Sequence, residues 1–126
     1  MTLRKFNDDF VKYRPEPRVV IDAIIIKPPY CGSGGRWYVD VDIGNKEVLI
    51  PIYEELKSKC PGSFVEGYVK LKIPMMKGVY TYTHRNEKRL TEFELGDSVK
   101  ATITCGGMFN LKGVWKPSWK LKVLEA

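Results

Sequence analysis

The sequence has few of the residues that form metal centres and disulfide frameworks. It has one histidine, His84, and three widely spaced cysteines, Cys31, Cys60 and Cys105, with no CxxC pair. A structural zinc site needs about four such ligands in close pairs, so we expect no bound metal and no other cofactor. An odd, scattered set of cysteines is typical of reduced thiols, which predicts an intracellular protein of the cytoplasm or nucleoid.

Long apolar runs and nucleotide-binding loops are also missing. No stretch approaches the ~20 apolar residues of a membrane-spanning helix, and the N-terminus has early charge but no apolar signal core. The glycine-containing segment 28–35 lacks both the GxxxxGK[ST] spacing and a following helix. It therefore predicts a plain connecting loop or a binding loop that carries Tyr30, and we expect no membrane partner.

The composition that remains is that of one small, basic, packed domain. The chain has 126 residues, 44% of them hydrophobic, and a formal net charge of +6. That length suits one domain, and the positive charge favours an anionic partner.

The first 17 residues predict an N-terminal arm, ahead of a domain at 18–126. Four apolar or aromatic residues recur there at helix-like spacing: Leu3, Phe6, Phe10 and Tyr13. A short packed helix, an arm that orders on a partner and a frayed terminus all fit this pattern.

Alternating patterns dominate the rest of the chain and predict strands. In 98–105, Val99, Ala101, Ile103 and Cys105 share one face, as in a half-buried strand. The predicted elements are a buried strand, a hairpin, a short helix, a strand, an extended hairpin and two final strands: 18–27; 36–43 with 47–52; 53–60; 63–74; 75–97; 98–105 and 119–123.

This order predicts an all-β, OB-fold-like five-stranded barrel with one short helix. We expect the helix between the third and fourth strands and the extended hairpin as an insertion. Closure protects the sheet edges of so small a domain.

Basic and aromatic residues are interleaved on the predicted outer faces. Ammonium groups suit phosphates, and aromatic rings suit unstacked bases, so this pattern favours single-stranded nucleic acid. Trp37 and Trp119 fall on predicted inner faces and are weaker candidates. The predicted contact residues are Tyr38, Tyr68, Lys70, Lys72, Tyr80, Tyr82, Arg85, Lys100, Phe109, Lys112, Trp115, Lys116, Lys120 and Lys122.

The segment 96–124 resembles the C-terminal strands of viral and phage OB-fold single-stranded DNA-binding proteins. The resemblance lies in Gly96-Asp97, Phe109-Asn110, Gly113 and Trp119-Lys120-Leu121, while Trp115-Lys116-Pro117 departs from the pattern. It implies largely sequence-independent binding of single-stranded DNA in replication, recombination or repair. A homo-oligomer and contacts with replication or recombination proteins are further expectations.

Other functions fit parts of the sequence. An RNA-binding or protein-adaptor OB domain would have the same pattern, because recognition of the 2′-hydroxyl needs geometry that a sequence does not give. Asp22, Asp40 and Asp42 could instead serve a metal-dependent nuclease, since two carboxylates at i and i+2 can share a magnesium ion. No lysine or glutamate motif completes such a site, so we expect a binding protein and not an enzyme.

Overall fold

The computed structural model describes residues 2–59, 63–64, 69–76, 79–80, 83–84 and 92–125. Strands dominate these residues. Short 3-10 turns at Ser33–Gly35 and Lys46–Leu49 accompany the longer elements, which in chain order are β1 (Thr2–Asn7), β2 (Phe10–Arg14), β3 (Arg18–Cys31), β4 (Trp37–Ile43), α1 (Ile50–Lys59), β5 (Ser63–Phe64), β6 (Val69–Ile73), β7 (Met75–Met76), β8 (Val79–Tyr80), β9 (Thr83–His84), β10 (Ser98–Leu111) and β11 (Val114–Glu125).

Five of these strands close a barrel. Their order is β3, β4, β6, β11 and β10, and β10 then pairs back with β3. All neighbours are antiparallel except β6 and β11, which run parallel. A closed five-stranded barrel with one short helix confirms the predicted all-β, OB-fold-like class.

The alternating residues of the barrel strands form the core. Ala101, Ile103 and Cys105 of β10 are completely buried, as is Leu71 of β6, and Trp119 of β11 lies beside them. Burying an aliphatic side chain of this size contributes about 1.5–3 kcal/mol. The predicted inner face of β10 is therefore correct, as is the inward placement of Trp119.

Cys31 and Cys105 are both free thiols. Cys31 is exposed, whereas burial raises the pKa of the Cys105 thiol to about 12. Cys105 therefore behaves as a small apolar core residue at neutral pH.

The predicted strand at 47–52 is wrong, and with it the position of the helix. Lys46–Leu49 forms a 3-10 turn that leads into α1, between the second and third barrel strands instead of the third and fourth. Leu49, Ile52 and Leu56 are buried at helical spacing, which stabilises this segment on the barrel. Pro51 lies in the first turn of α1, where its missing N–H has no helical partner to lose.

The predicted loop at 28–35 is strand for its first half. β3 continues through both prolines to Cys31, and only Ser33–Gly35 leaves the sheet. The pairing of β3 with β4 shifts register between Lys27 and Tyr30, so Pro28 and Pro29 fall at an irregularity where no ladder hydrogen bond is needed.

The helix-like spacing at the N-terminus was misleading, because the segment forms a hairpin of β1 and β2. β2 pairs with Gly107–Phe109, which lie in the part of β10 beyond its pairing with β3. Val11 and Tyr13 point into the core, while Phe10, Lys12 and Arg14 point outward. The true period is two, and the helix-like spacing arises because Phe6 and Phe10 lie on either side of the turn at residues 8–9.

The extended hairpin predicted at 75–97 is also wrong where the structure describes it. β7 pairs with β8, β9 runs parallel to β11, and residues 92–97 are not strand, although Phe93 is buried. The predicted tip at 85–88 lies outside the described residues, as does the 65–68 part of the strand predicted at 63–74.

Two bulges shape the β10–β11 pair. The register shifts between Thr102 and Ile103, so Leu124 is buried instead of the expected Val123. A second shift occurs between Cys105 and Gly107. Gly107 has φ +120°, and a Cβ there would lie 1.9 Å from the carbonyl oxygen of Val11. Only glycine lets the N-terminal hairpin approach β10 this closely.

Gly107→Ala should therefore destabilise the protein by at least about 2 kcal/mol, through both the backbone strain and the clash. Gly106→Ala is the matched control, since its Cβ would meet nothing closer than 3.4 Å. Urea unfolding of the two variants checks this, and equal midpoints would show that the hairpin does not need the close approach.

Candidate nucleic-acid interface

Two tyrosines form an aromatic pair on the outside of the barrel. Tyr30 and Tyr38 are direct partners across β3 and β4, so their side chains share a face. Their ring centroids are 5.9 Å apart and the planes are tilted by 34°. The side chain of Tyr38 is partly exposed and so offers a ring surface to an incoming base.

Lysines flank this pair on both sides. Lys27 Nζ lies 4.1 Å from the ring centroid of Tyr30, and Lys70 Nζ lies 4.8 Å from that of Tyr38. Each ammonium is within the range of a cation–π interaction. The arrangement places positive charge for phosphates directly beside rings that can stack on bases.

Asp40 lies beneath the same cluster and accepts a hydrogen bond from the Tyr30 hydroxyl, with 2.9 Å between the oxygen atoms. It is only 5% exposed, and its register partners are Lys27 on β3 and Lys70 on β6. The carboxylate is therefore neither a solvated residue nor an open metal ligand. It fixes the position of Tyr30 and balances charge on the two lysines.

A second group of cations lies next to the tyrosines. Lys72 of β6 is the register partner of Tyr38 on one side and of Lys120 of β11 on the other. Burial, together with the charges of Arg36 and Lys120, lowers the pKa of Lys72. Burial is the larger cause of this lowered pKa, and the two neighbouring cations add to it, so the register pairing with Lys120 places positive charge together on this face.

Glu16 is the acid that contacts this group. Its two carboxylate oxygens lie 3.1 Å and 3.3 Å from Lys120 Nζ. It also accepts a hydrogen bond of 3.2 Å from the hydroxyl of Thr104, the register partner of Lys120 on β10. Glu16 and Lys120 are each about one-third exposed, so the contact is accessible to solvent.

The same outer face continues along the N-terminal hairpin and the distal half of β10 and β11. Phe10, Phe109 and Lys116 lie in one row across three strands. Lys12 lies over the ring of Phe6, 4.1 Å from its centroid. A cleft of about 390 Å³ lies along this surface, with Phe10, Lys12, Arg14, Glu16, Phe109 and Lys120 among its lining residues.

The structure brings together some of the residues predicted from sequence. Tyr38, Lys70, Lys72 and Lys120 share the outer face described above. Phe109 and Lys116 extend it, and Lys122, two residues beyond Lys120, is partly exposed.

Others are placed apart from that face. Lys112 and Gly113 form the turn between β10 and β11, and Trp115 packs partly against the core. Lys100 lies between Asp22 on β3 and Glu125 on β11, its two register partners. Two acidic neighbours offset the charge of Lys100, so it is the weakest of the predicted phosphate contacts.

Four predicted residues cannot be placed at the site. Tyr68, Tyr82 and Arg85 lie outside the described residues. Tyr80 belongs to β8 by its backbone, and its side chain lies outside the described part of the structure.

Comparison with known proteins adds no relative. No protein-family model matches the chain, and no curated protein or solved structure is significantly similar to it. The geometry and charges of the site are therefore the only basis for a functional proposal.

Several contributors to this face were not predicted from the sequence, chiefly Lys27, Arg36, Lys12 and Glu16, and Tyr30 was predicted only as a residue of a binding loop or a plain connector. Tyr30 was placed in a loop because of the two prolines before it. A period-two reading of Phe10, Lys12 and Arg14 would have placed these residues on one outer face. Nothing local marks Glu16, whose partner Lys120 is 104 positions away.

Two further structural features bear on the alternatives. Within the described part of the chain, no three His, Cys, Asp or Glu side chains lie close enough together to hold a metal ion. Among the same residues, no helix is long and apolar enough to cross a bilayer.

Tyr30→Phe should destabilise the protein by about 1–3 kcal/mol, because Asp40 would stay buried without the hydroxyl that donates to it. Tyr38→Phe is the matched control, and its effect should stay within about 0.5 kcal/mol. Chemical unfolding measures both variants. Equal costs would mean that the hydrogen bond to Asp40 does not hold the aromatic pair in place.

Proposed function

We propose that the protein binds single-stranded DNA, largely without sequence preference, on the outer face formed by β4, β6 and β11. The observation that carries the proposal is the aromatic pair of Tyr30 and Tyr38 with Lys27 and Lys70 beside the rings, Lys72 next to Tyr38 and Lys120 next to Lys72. Stacking surfaces and phosphate-binding cations are both needed for an unpaired strand, and here they lie side by side on neighbouring strands.

The position on the fold supports the proposal. In OB-folds, oligonucleotides bind across the second and third strands and the loops between strands one and two and between strands four and five. In this barrel those strands are β4 and β6, which carry Tyr38, Lys70 and Lys72. The first loop carries Arg36 and the other carries Lys112. One fold hosts many functions, so the side chains on these strands and loops decide whether this barrel binds nucleic acid.

The charges on this face also support an anionic partner. Two acids beside the rings and lysines are already engaged, Asp40 by Tyr30 and Glu16 by Lys120 and Thr104. Asp42, two residues after Asp40 on the same side of β4, is exposed. Lys72 lies beside Lys120, and the charge of Arg36 acts on Lys72. Neither Lys72 nor Arg36 has a carboxylate contact among the described residues. Phosphate groups would supply anionic partners for these cations.

The absence of sequence preference follows from the groups involved. Tyrosine rings stack on any base, and lysines contact phosphates that are the same at every nucleotide. A protein of this kind acts without chemistry of its own, by holding exposed single strands during replication, recombination or repair. Assembly into a homo-oligomer along the strand belongs to the same proposal.

Single-stranded DNA should bind at least about tenfold more tightly than duplex of the same sequence, since paired bases cannot stack on Tyr38. Fluorescence titration at one fixed salt concentration measures both, with single-stranded RNA as a third ligand. Equal affinity for duplex would reduce the site to a basic surface. Clear preference for RNA would favour the RNA-binding alternative.

Replacing both Lys72 and Lys120 by alanine should weaken binding and flatten the slope of log K against log salt by up to about 1.4 units, because each contacted phosphate of a single strand contributes about 0.7. Lys100→Ala is the matched comparison and should change the slope little, because Asp22 and Glu125 already offset its charge.

Tyr38→Ala separates stacking from charge in the same titrations. It should reduce affinity by about 1–3 kcal/mol and leave the slope unchanged, since stacking releases no counterions. An unchanged slope in the double lysine variant would place the phosphate path elsewhere on the protein.

A further inference from the structure

Glu16 is placed as a nucleic-acid phosphate would be. Its two oxygens contact the ammonium of Lys120, and one of them also accepts the hydroxyl hydrogen of Thr104. Carboxylate and phosphate oxygens accept hydrogen bonds from the same donors. The site thus already holds an anion that comes from the chain itself.

The local charge exceeds what this one carboxylate can balance. Lys120 is paired with Glu16, and Lys72 is the register partner of Lys120 on β6. The charges of Arg36 and Lys120 both act on the Lys72 ammonium. Three positive groups and one carboxylate leave a net positive charge of two. Glu16 contacts Lys120, whereas a phosphodiester bound at this place would also face Lys72, the register partner of Lys120.

The surroundings leave space for exchange. Glu16 lies in the short connection between β2 and β3, so its side chain can rotate away without breaking a strand pairing. The backbone stays attached through the neighbouring Pro17, whose carbonyl accepts from the Cys105 N–H at 3.1 Å. Gly106 lies beside Lys120, and a Cβ at this position would already lie 3.4 Å from the Lys120 ammonium. Because glycine has no side chain, this side of Lys120 stays open to the cleft described above.

We propose that Glu16 occupies a phosphate subsite formed by Thr104, Lys120 and Lys72, and that a phosphate of the bound strand displaces its carboxylate. The inference rests on the proposed function for the identity of the strand. It adds a regulatory consequence, because the chain competes with its own ligand for one contact. A partly exposed ion pair contributes only a few-fold to an equilibrium, so the competition lowers affinity without preventing binding.

The test is Glu16→Gln, compared with Glu54→Gln, which removes the same charge from an exposed position on α1. The glutamine amide oxygen can still accept from Thr104, so the variant preserves the local hydrogen bond. Affinity for single-stranded DNA should rise about three- to fivefold at low salt in Glu16→Gln, and the gain should shrink as salt screens the charges. Glu54→Gln should change affinity less than twofold.

A second measurement uses inorganic pyrophosphate and does not involve DNA. Pyrophosphate should raise the unfolding temperature more in Glu16→Gln than in the wild type, and should lose this effect in Lys120→Ala. Glu16→Ala, which removes the carboxylate altogether, should behave like Glu16→Gln in both assays. Unfolding curves without ligand confirm that each variant is folded.

The outcomes separate the two proposals. If DNA binds and Glu16→Gln matches Glu54→Gln, the subsite is wrong and the proposed function stands. If no variant binds DNA, the proposed function is wrong, and the shift in unfolding temperature with pyrophosphate tests whether the subsite exists. Stronger stabilisation in Glu16→Gln, lost in Lys120→Ala, then supports the subsite, and equal stabilisation in all variants overturns it.

Discussion

The short parallel pairing of β6 with β11 is the contact on which the rest of the structure depends. It aligns Leu71 with Trp119 and Lys72 with Lys120. Leu71 and Trp119 enter the core, where Trp119 meets the edge of Tyr53 at a centroid distance of 6.1 Å. The pairing closes the barrel, so the two sheet edges that it joins are protected. Because side chains alternate along a strand, the same pairing must bring the two lysines together on the outside.

The core and the outer face are therefore two sides of the same strands. The residues that alternate with Val39, Val41, Leu71 and Trp119 are those that build the outer face, and a one-residue slip in register would exchange the two sets. Apolar burial of several kcal/mol then fixes the register that like-charged lysines alone would oppose. A rigid barrel is a suitable support for the proposed binding face, because it would hold rings and cations at set distances ahead of a bound strand.

The sequence supports the barrel better than it supports the site, and the reason is physical. Period-two alternation in β4, β6 and β10 is a local signal, and it placed Val39, Leu71 and Ile103 inside correctly. The segment 47–52 is apolar at almost every position, and such a run does not distinguish a strand from a buried helix. Its helical state comes from packing on the barrel. Lys72, Lys120 and Glu16 come from three distant segments, and only the closed topology brings them together.

Two carboxylates lie in a face that otherwise favours anions, and their burial gives them different roles. Asp40 is almost fully covered and accepts the Tyr30 hydroxyl, so removing its partner leaves a buried charge that water cannot reach. It stabilises the aromatic pair and is not available for exchange. Glu16 contacts Lys120 and Thr104 but is about one-third exposed, so water and salt compensate much of what it would lose on leaving. The same functional group thus serves as a fixed support at one position and as a displaceable one at the other, and solvent access makes the difference.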